Sequence, residues 1–207
     1  MKEIQGPAGR LEARLDRPAG AAKAVVVLAS PHPQRGGTMQ DKVVYQATQG
    51  FVRAGCAVLR FNYRGVGTSD GAYSDGPGER EDYRAALDAA AREFPDLPIW
   101  AAGYSFGAYI ALNVGAADPR VTQLIGIGIV TGEKSDKYDY TAVRASEKPK
   151  FLLHGGLDEL SPAKSIRKFY GELAEPRELV VIDDADHYFD GHTSEVADAI
   201  EDLLVEG

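Results

Sequence analysis

A serine flanked by glycines is the first feature of this sequence that could carry out chemistry. Residues 103–107 (GYSFG) follow a short apolar stretch at 99–102 and open a helical pattern at 108–112. In such a strand–turn–helix the serine backbone is strained, and glycines two positions to either side remove the collisions that side chains would cause. The hydroxyl then projects from the sheet, with the Phe106 N–H placed to stabilise a negatively charged oxygen. We therefore predict Ser105 as a nucleophile for acyl transfer and Phe106 as an oxyanion donor.

A serine hydroxyl is a weak nucleophile, so it needs an imidazole to take its proton and a carboxylate to orient that imidazole. Asp158 lies in the loop 154–159 (HGGLDE) after one predicted strand, and His187 ends the loop 183–187 (DDADH) after the last strand. Because the carboxyl ends of parallel strands meet at one edge of a sheet, both loops should lie beside Ser105. We predict Ser105, Asp158 and His187 as the nucleophile, acid and base of a catalytic triad.

Other ionisable side chains compete with Asp158 and His187 for the last two roles. His192 also follows the last strand, but it directly precedes Thr193, where a helix is predicted to begin, so we interpret it as a surface or capping residue. His154, at its own strand end, is interpreted as a structural hydrogen-bonding residue. A solvated acidic turn is the interpretation for three further carboxylates, those of Asp183, Asp184 and Asp186.

Strand and helix patterns alternate along the chain and would position these residues. Apolar runs predict strands at 24–29, 57–61, 98–102, 123–129, 151–154 and 178–182, and residues 2–16 predict an edge hairpin. Helices are predicted at 41–53, 79–94, from the serine turn to about 117, at 162–173 and from Thr193, the last with Val196, Ile200, Leu203 and Leu204 on its inner face. This alternation predicts one α/β domain, residues 1–207, with a mostly parallel, doubly wound sheet and helices on both faces.

The composition excludes several classes of partner. A net charge of −8 disfavours nucleic acid and acidic membrane surfaces, so we expect neither as a partner. Cys56 is the only cysteine, so it has no intrachain disulfide partner, and we interpret it as a buried thiol. The N-terminus has no signal-peptide pattern, and no stretch approaches the ~18 apolar residues of a membrane span. We therefore expect a soluble, cytoplasmic protein.

The three loops together resemble those of the α/β-hydrolases, specifically the small bacterial members without a lid domain. Residues 103–107 match the nucleophile elbow, 154–158 (HGGLD) the acid loop and 185–189 (ADHYF) the histidine loop. Residues 30–37 (SPHPQRGG) and 62–69 (NYRGVGTS) also resemble those of relatives of the dienelactone hydrolases, which use cysteine where this sequence has Ser105. The resemblance implies a lidless α/β-hydrolase fold and a serine hydrolase without cofactor or metal, most closely a carboxylesterase acting on a small-molecule ester as a monomer or homodimer. Thioesters and small amides are the alternative substrates of the same mechanism.

In this fold a second oxyanion donor comes from the loop after the predicted strand 24–29, because that strand neighbours the one leading to the serine. Pro33 in that loop has no N–H. We therefore predict Gln34 as the second donor, with Arg35 as the next choice.

The missing lid leads to an expectation about substrate size. The connection between the predicted strands 123–129 and 151–154 is short and rich in charge, with Glu133, Lys134, Asp136, Lys137, Asp139, Arg144, Glu147 and Lys148. We expect a shallow acyl pocket near Phe106 and predict Tyr104, Tyr138 and Tyr140 as substrate-binding residues. Such a pocket would bury only the first few methylenes, each worth ~0.8 kcal/mol, so short acyl chains should be preferred.

Three other classes of protein are alternatives to this interpretation. The glycine-rich stretch 62–69 does not fit a dinucleotide-binding turn, because no helix pattern follows it, and we interpret it as a structural turn in which Arg64 could still touch substrate. A metal site built from Asp183, Asp184, His187 and His192 follows no tight ligand motif. The remaining alternative is a hydrolase fold used as a non-catalytic binding module, since a fold alone does not establish activity.

Overall fold

Eight strands form a single sheet whose centre is parallel. The computed structural model of the chain describes residues 1–132 and 138–205, with side chains up to Asp202. The strands are β1 (Glu3–Gly6), β2 (Gly9–Asp16), β3 (Val25–Ala29), β4 (Ala57–Phe61), β5 (Ile99–Tyr104), β6 (Val121–Ile127), β7 (Lys150–Gly155) and β8 (Arg177–Ile182). Their order across the sheet is β1-β2-β4-β3-β5-β6-β7-β8. Strands β3 to β8 run parallel, and β1 and β2 form an antiparallel hairpin at one edge.

Helices cover both faces of the sheet, as predicted. They are α1 (Lys42–Arg53), α2 (Pro77–Glu93), α3 (Phe106–Ala117), α4 (Thr141–Ala145), α5 (Ala163–Glu172) and α6 (Thr193–Val205). Side chains of β3 alternate between two cores: Val25 and Val27 pack in the core with α2, α3 and α5, whereas Val26 and Leu28 pack in the core with α1 and α6. This burial on both faces explains why the central strands are continuous apolar runs. The prediction of a doubly wound α/β sheet is confirmed.

Most predicted elements occur within a few residues of their expected bounds. The edge hairpin is present, and Asp41 caps α1 by accepting a hydrogen bond from the Val43 N–H at 2.8 Å. Helix α2 begins two residues earlier than predicted, because the Glu79 carboxylate accepts the Gly76 N–H at 2.7 Å and lets Pro77 start the helix. The short helix α4 was not predicted.

Two sequence expectations fall on parts of the chain outside the described residues. Within the charged connection between β6 and β7, residues 133–137 are not described, and α4 is the one helix among the residues that are. On α6, Val196 and Ile200 are buried as predicted, whereas the side chains of Leu203 and Leu204 lie outside the described part.

Register places the catalytic candidates at one end of the sheet. Strand β5 lies between β3 and β6, with Ala29 opposite Gly103 and Tyr104 opposite Ile127. The loop after β3 therefore runs beside Ser105, and the loops after β7 and β8 emerge at the same edge of the sheet. Cys56, just before β4, is fully buried, and burial raises the pKa of its thiol to about 11, as expected for an unreactive cysteine.

Candidate active site

Ser105 stands at a sharp turn between β5 and α3. Its backbone has φ 55° and ψ −118°, a conformation that side-chain-bearing residues rarely adopt. A Cβ on Gly103 would lie 2.2 Å from the Gly107 carbonyl oxygen, and a Cβ on Gly107 would lie 2.4 Å from the Ser30 carbonyl oxygen. Both glycines are therefore required for this turn, as the sequence motif predicted.

The structure brings the three predicted triad residues together. Ser105 Oγ lies 2.9 Å from His187 Nε2, and His187 Nδ1 lies 2.7 Å from Asp158 Oδ2. Asp158 and His187 are buried, with 2% and 4% of their surfaces exposed. The three side chains come from the loops after β5, β7 and β8. They are far apart in the sequence, and the edge of the sheet brings them together.

Asp158 is held as a carboxylate by its hydrogen bonds. Its Oδ1 accepts the N–H groups of Leu160 and Ser161, each at 2.8 Å, which leaves Oδ2 for His187. Burial by itself would raise the pKa of Asp158, but the hydrogen bond and charge of His187, together with the Ser161 N–H, outweigh burial and lower it. The carboxylate is therefore ionised at neutral pH and able to orient the imidazole.

The loop that carries His187 is fastened to the sheet by Tyr104. The Tyr104 hydroxyl donates to the His187 carbonyl oxygen at 3.0 Å, and its ring lies 5.8 Å from the imidazole. Tyr104 borders the cavity in front of Ser105 but is only 2% exposed. A substrate contact by Tyr104 stays a prediction, since its main contacts position the histidine loop and little of its surface is exposed.

The remaining histidines next to the triad residues have the structural surroundings that we predicted. His154 is fully buried, with Nε2 2.7 Å from the Ser161 carbonyl oxygen, and burial lowers its pKa. The His192 Nδ1 pairs instead with Glu195 Oε1 at 2.6 Å, at the start of α6. The three acidic residues before His187 also match their interpretation as a solvated turn, with exposed Asp183 and Asp184 and half-buried Asp186.

The prediction of Gln34 as an oxyanion donor is wrong in its geometry. The Gln34 N–H donates to His32 Nδ1 at 3.2 Å, and the exposed residue does not border the cavity. Arg35 N–H and Gly37 N–H both donate to the His32 carbonyl oxygen, at 2.9 and 3.1 Å. Pro33 begins a short 3-10 turn at residues 33–35, and hydrogen bonds of this turn occupy the N–H groups of Gln34 and Arg35.

His32 lies in the same loop and was not predicted as a donor. It is the one non-proline residue in Pro31-His32-Pro33, its ring lies 4.9 Å from that of Phe106, and it borders the cavity. Among the described residues, we find no hydrogen bond that uses its N–H. The two prolines were a signal that could have indicated His32, because neither proline can donate.

The turn at 62–69 is structural, as interpreted. Asn62 Oδ1 accepts the Met39 N–H at 2.7 Å, and the Ser69 hydroxyl donates to the Asn62 carbonyl oxygen at 2.9 Å. The Arg64 guanidinium forms a buried ion pair with Asp82 at 2.7 Å and does not border the cavity, which removes it as a substrate contact.

A cavity of about 1060 Å³ opens in front of Ser105. It lies at the upper end of the range for small-molecule sites and is larger than the shallow pocket we expected. Tyr138 borders it, stacked on Tyr109 at 4.4 Å. Tyr140 does not: it is 2% exposed, donates its hydroxyl to the Val130 carbonyl oxygen at 3.2 Å and packs on Phe169. The expectation that Tyr140 binds substrate is therefore wrong.

Comparison with known proteins agrees with this geometry. The family model of the alpha/beta hydrolase domain matches residues 22–203. The chain belongs to the α/β hydrolase family. An uncharacterized protein of Rickettsia prowazekii is 33% identical over 98% of this chain and 87% of its own length.

Two solved structures are similar to this α/β hydrolase over almost its whole length. One is an alpha-beta serine hydrolase homologue from Coxiella burnetii, with a TM-score of 0.91 and 34% identity over 98% of this chain and 95% of that one. The other is a Xanthomonas campestris protein described as an α/β serine hydrolase without a lid, with a TM-score of 0.88 and 29% identity over 99% of this chain and 92% of that one. The resemblance to the small lidless branch is confirmed.

The described residues of this hydrolase contain neither a membrane-spanning helix nor a cluster of metal-ligating side chains. No helix in that part of the chain has both the length and the apolar character to cross a membrane. No three of its His, Cys, Asp or Glu side chains are grouped as metal ligands.

Proposed function

We propose that this α/β hydrolase is a serine carboxylesterase acting on small-molecule esters. The observation that carries the proposal is the unbroken line of contacts from Ser105 Oγ to His187 Nε2 at 2.9 Å and from His187 Nδ1 to Asp158 Oδ2 at 2.7 Å. Serine hydrolase homologues among the similar structures support it. A binding module would have no need for a strained serine aligned with a buried imidazole and carboxylate.

The geometry supports a two-step acyl transfer. Ser105 Oγ attacks the ester carbonyl carbon while its proton passes to His187 Nε2, and Asp158 stabilises the imidazolium that forms. His187 then gives this proton to the departing alcohol, leaving an acyl group on Ser105. In the second step, water attacks the acyl-enzyme with His187 again as base, and the carboxylic acid is released with Ser105 restored.

We propose that the N–H groups of Phe106 and His32 stabilise the oxyanion that forms in each step. Phe106 is the first residue of α3, so its N–H has no partner within the helix and lies at the positive end of the helix dipole. Pro31 and Pro33 have no N–H, and hydrogen bonds within the loop occupy the N–H groups of its residues 34, 35 and 37. The N–H groups of His32 and Gly36 remain, both residues border the cavity, and we assign the role to His32 because its ring packs against Phe106.

The proposal is tested by pre-steady-state kinetics with p-nitrophenyl acetate. A covalent acyl-enzyme predicts a burst of p-nitrophenol, equal in amount to the enzyme, when deacylation is the slower step. A panel of thioesters and small amides, run alongside, would place those alternative substrates relative to esters. Absence of turnover on every ester and thioester would favour the non-catalytic binding module.

Replacing Asp158 with asparagine is expected to lower kcat for p-nitrophenyl acetate by about 10³- to 10⁴-fold. An amide at this position can hold His187 in the wrong tautomer, so that Nε2 carries a hydrogen and cannot accept the Ser105 proton. The comparison is Asp184→Asn, on the exposed turn before His187, which should keep nearly full activity. Equal activity of the two variants would contradict the role of Asp158.

Short acyl chains are expected to be the better substrates. On p-nitrophenyl esters, kcat/KM should peak between acetyl and about hexanoyl, without interfacial activation, because α4 is the one helix described between β6 and β7. Although the whole cavity is larger than expected, the acyl group gains ~0.8 kcal/mol per methylene only along the rings of Phe106, Tyr138 and Tyr109 in this proposal. A clear preference for dodecanoyl or longer esters would contradict this expectation.

A further inference from the structure

One part of the cavity is walled by aromatic rings, and we call it the aromatic lobe. Its members are His32, Tyr73, Phe106, Tyr109 and Tyr138. Ring centroids lie 4.9 Å apart for His32 and Phe106, 6.5 Å for Phe106 and Tyr138, and 4.4 Å for Tyr138 and Tyr109, while Tyr73 lies 5.2 Å from His32. Flat walls of this kind fit a short chain or a ring of the substrate.

Arg80 borders the aromatic lobe from the first turn of α2. Its guanidinium carbon lies 5.0 Å above the Tyr109 ring, and Nη2 donates to the Tyr109 hydroxyl. Its Nε is buried and has no hydrogen-bond partner. Within the described ranges, no carboxylate oxygen lies within ion-pair distance of this guanidinium. Four of its five N–H groups are therefore without a protein acceptor there.

Two arginines lie at the cavity although the whole protein is negative. Arg35 also borders it, and Asp75 is the carboxylate that faces the two arginines, with its Oδ1 accepting the Tyr73 hydroxyl at 3.2 Å. Glu79 is fully buried and takes up the N–H groups of Ser74 and Gly76 instead. Asp75 is the carboxylate that is both exposed and part of the cavity lining.

Two further carboxylates near these arginines are engaged elsewhere. Asp41 also borders the cavity, but its carboxylate caps α1. The hydroxyl and N–H of Thr141 lower the pKa of Asp139 most, and Arg80 lowers it further, but from beyond ion-pair distance.

We propose that the substrates of this site are esters that carry a free carboxylate, which binds Arg80 at the end of the aromatic lobe. This inference rests on the proposed esterase function. A guanidinium presents a planar set of donors that matches a carboxylate, and pairing is strongest where the cation is already partly desolvated. Asp75 would repel an anion from the mouth, so the carboxylate should reach past it to Arg80.

The spacing limits the size of such a substrate. Tyr109, on which Arg80 lies, follows Ser105 by four residues on α3, a rise of about 6 Å along the helix. A linker of about three to five atoms, or one aromatic ring, would span from the scissile carbonyl to the carboxylate. Half-esters of dicarboxylic acids therefore fit the lobe.

The test compares an anionic ester with its neutral twin. Mono-p-nitrophenyl adipate should have kcat/KM about tenfold higher than p-nitrophenyl methyl adipate at pH 8, since a charge-assisted hydrogen bond changes binding by roughly this factor. Arg80→Gln should reduce that ratio about tenfold, and Arg80→Lys should retain part of it. The matched control is Arg84→Gln, one turn further along α2 and exposed, which should leave both rates unchanged.

A binding measurement separates this inference from the proposed function. In the Ser105→Ala variant, calorimetric titration should show monomethyl adipate binding about tenfold tighter than dimethyl adipate, and Arg80→Gln should remove the difference. If neither p-nitrophenyl ester is hydrolysed but this difference appears, the esterase proposal fails and the anion site stands. If both esters are hydrolysed at equal rates and bind equally, the anion site fails and the esterase proposal stands.

Discussion

The Ser105→Ala variant is expected to lose about 10⁴- to 10⁶-fold in kcat for p-nitrophenyl acetate. The variant keeps the cavity and the imidazole but has no atom that can form the acyl-enzyme, so any residual rate would come from oxyanion stabilisation and positioning alone. Alanine at the strained position φ 55° differs from serine by one oxygen, so the fold should survive. Steady-state hydrolysis, with circular dichroism as a check of folding, measures the effect.

Covalent labelling gives an independent readout of the same residue. The wild-type protein should react with a fluorophosphonate, and peptide mass spectrometry should find the adduct on Ser105. Ser194→Ala, an exposed serine on α6, is the matched control and should be labelled like the wild type. Equal labelling of the Ser105→Ala variant would overturn the assignment of the nucleophile, and a complete lack of labelling in the wild type would favour a binding module.

Loss of the general base is expected to lower kcat about as much as loss of the nucleophile does. His187→Ala should reduce kcat by several orders of magnitude, because no other group lies within hydrogen-bond distance of Ser105 Oγ among the described side chains. Asp158 would remain in place but would have no imidazole to orient. Hydrolysis of p-nitrophenyl acetate across pH 5 to 9 measures the effect, since the variant should also lose the pH dependence that an imidazole base imposes.

His192→Ala is the matched control for this experiment. His192 contacts Glu195 at the start of α6, so its loss should cost about 0.5 kcal/mol of folding stability, with activity near that of the wild type. Thermal unfolding and the same hydrolysis assay distinguish the two variants. An inactive His192→Ala protein beside an active His187→Ala protein would show that the wrong histidine has been assigned.

The order of elements and the catalytic candidates could be predicted from the sequence because both depend on short-range rules. Alternating apolar runs and helical periods specify a doubly wound sheet, since each buried strand and each amphipathic helix must cover the other. The serine turn is equally local, because only glycine fits at 103 and 107, where a Cβ would lie within 2.4 Å of a backbone oxygen. Asp158 and His187 followed from strand ends that a parallel sheet brings to one edge.

The lining of the cavity was decided by the tertiary structure. Tyr138 and Tyr140 are two residues apart and of one type, yet one borders the cavity and the other packs on Phe169, because the contacts with α3 and α5 determine which ring is buried. Arg80 reaches the site from α2, in a segment without a catalytic motif. No local pattern encodes such contacts between distant elements.

The oxyanion donor could be predicted only in part from the sequence. The sequence by itself excluded Pro33, which lacks an N–H, and favoured Gln34 over Arg35 as the donor. The tertiary structure narrows the choice, because the His32 ring accepts the N–H of Gln34 and the His32 carbonyl oxygen accepts those of Arg35 and Gly37. The physical reason is general: residue types determine which groups can donate, whereas the fold determines which donors have already been used.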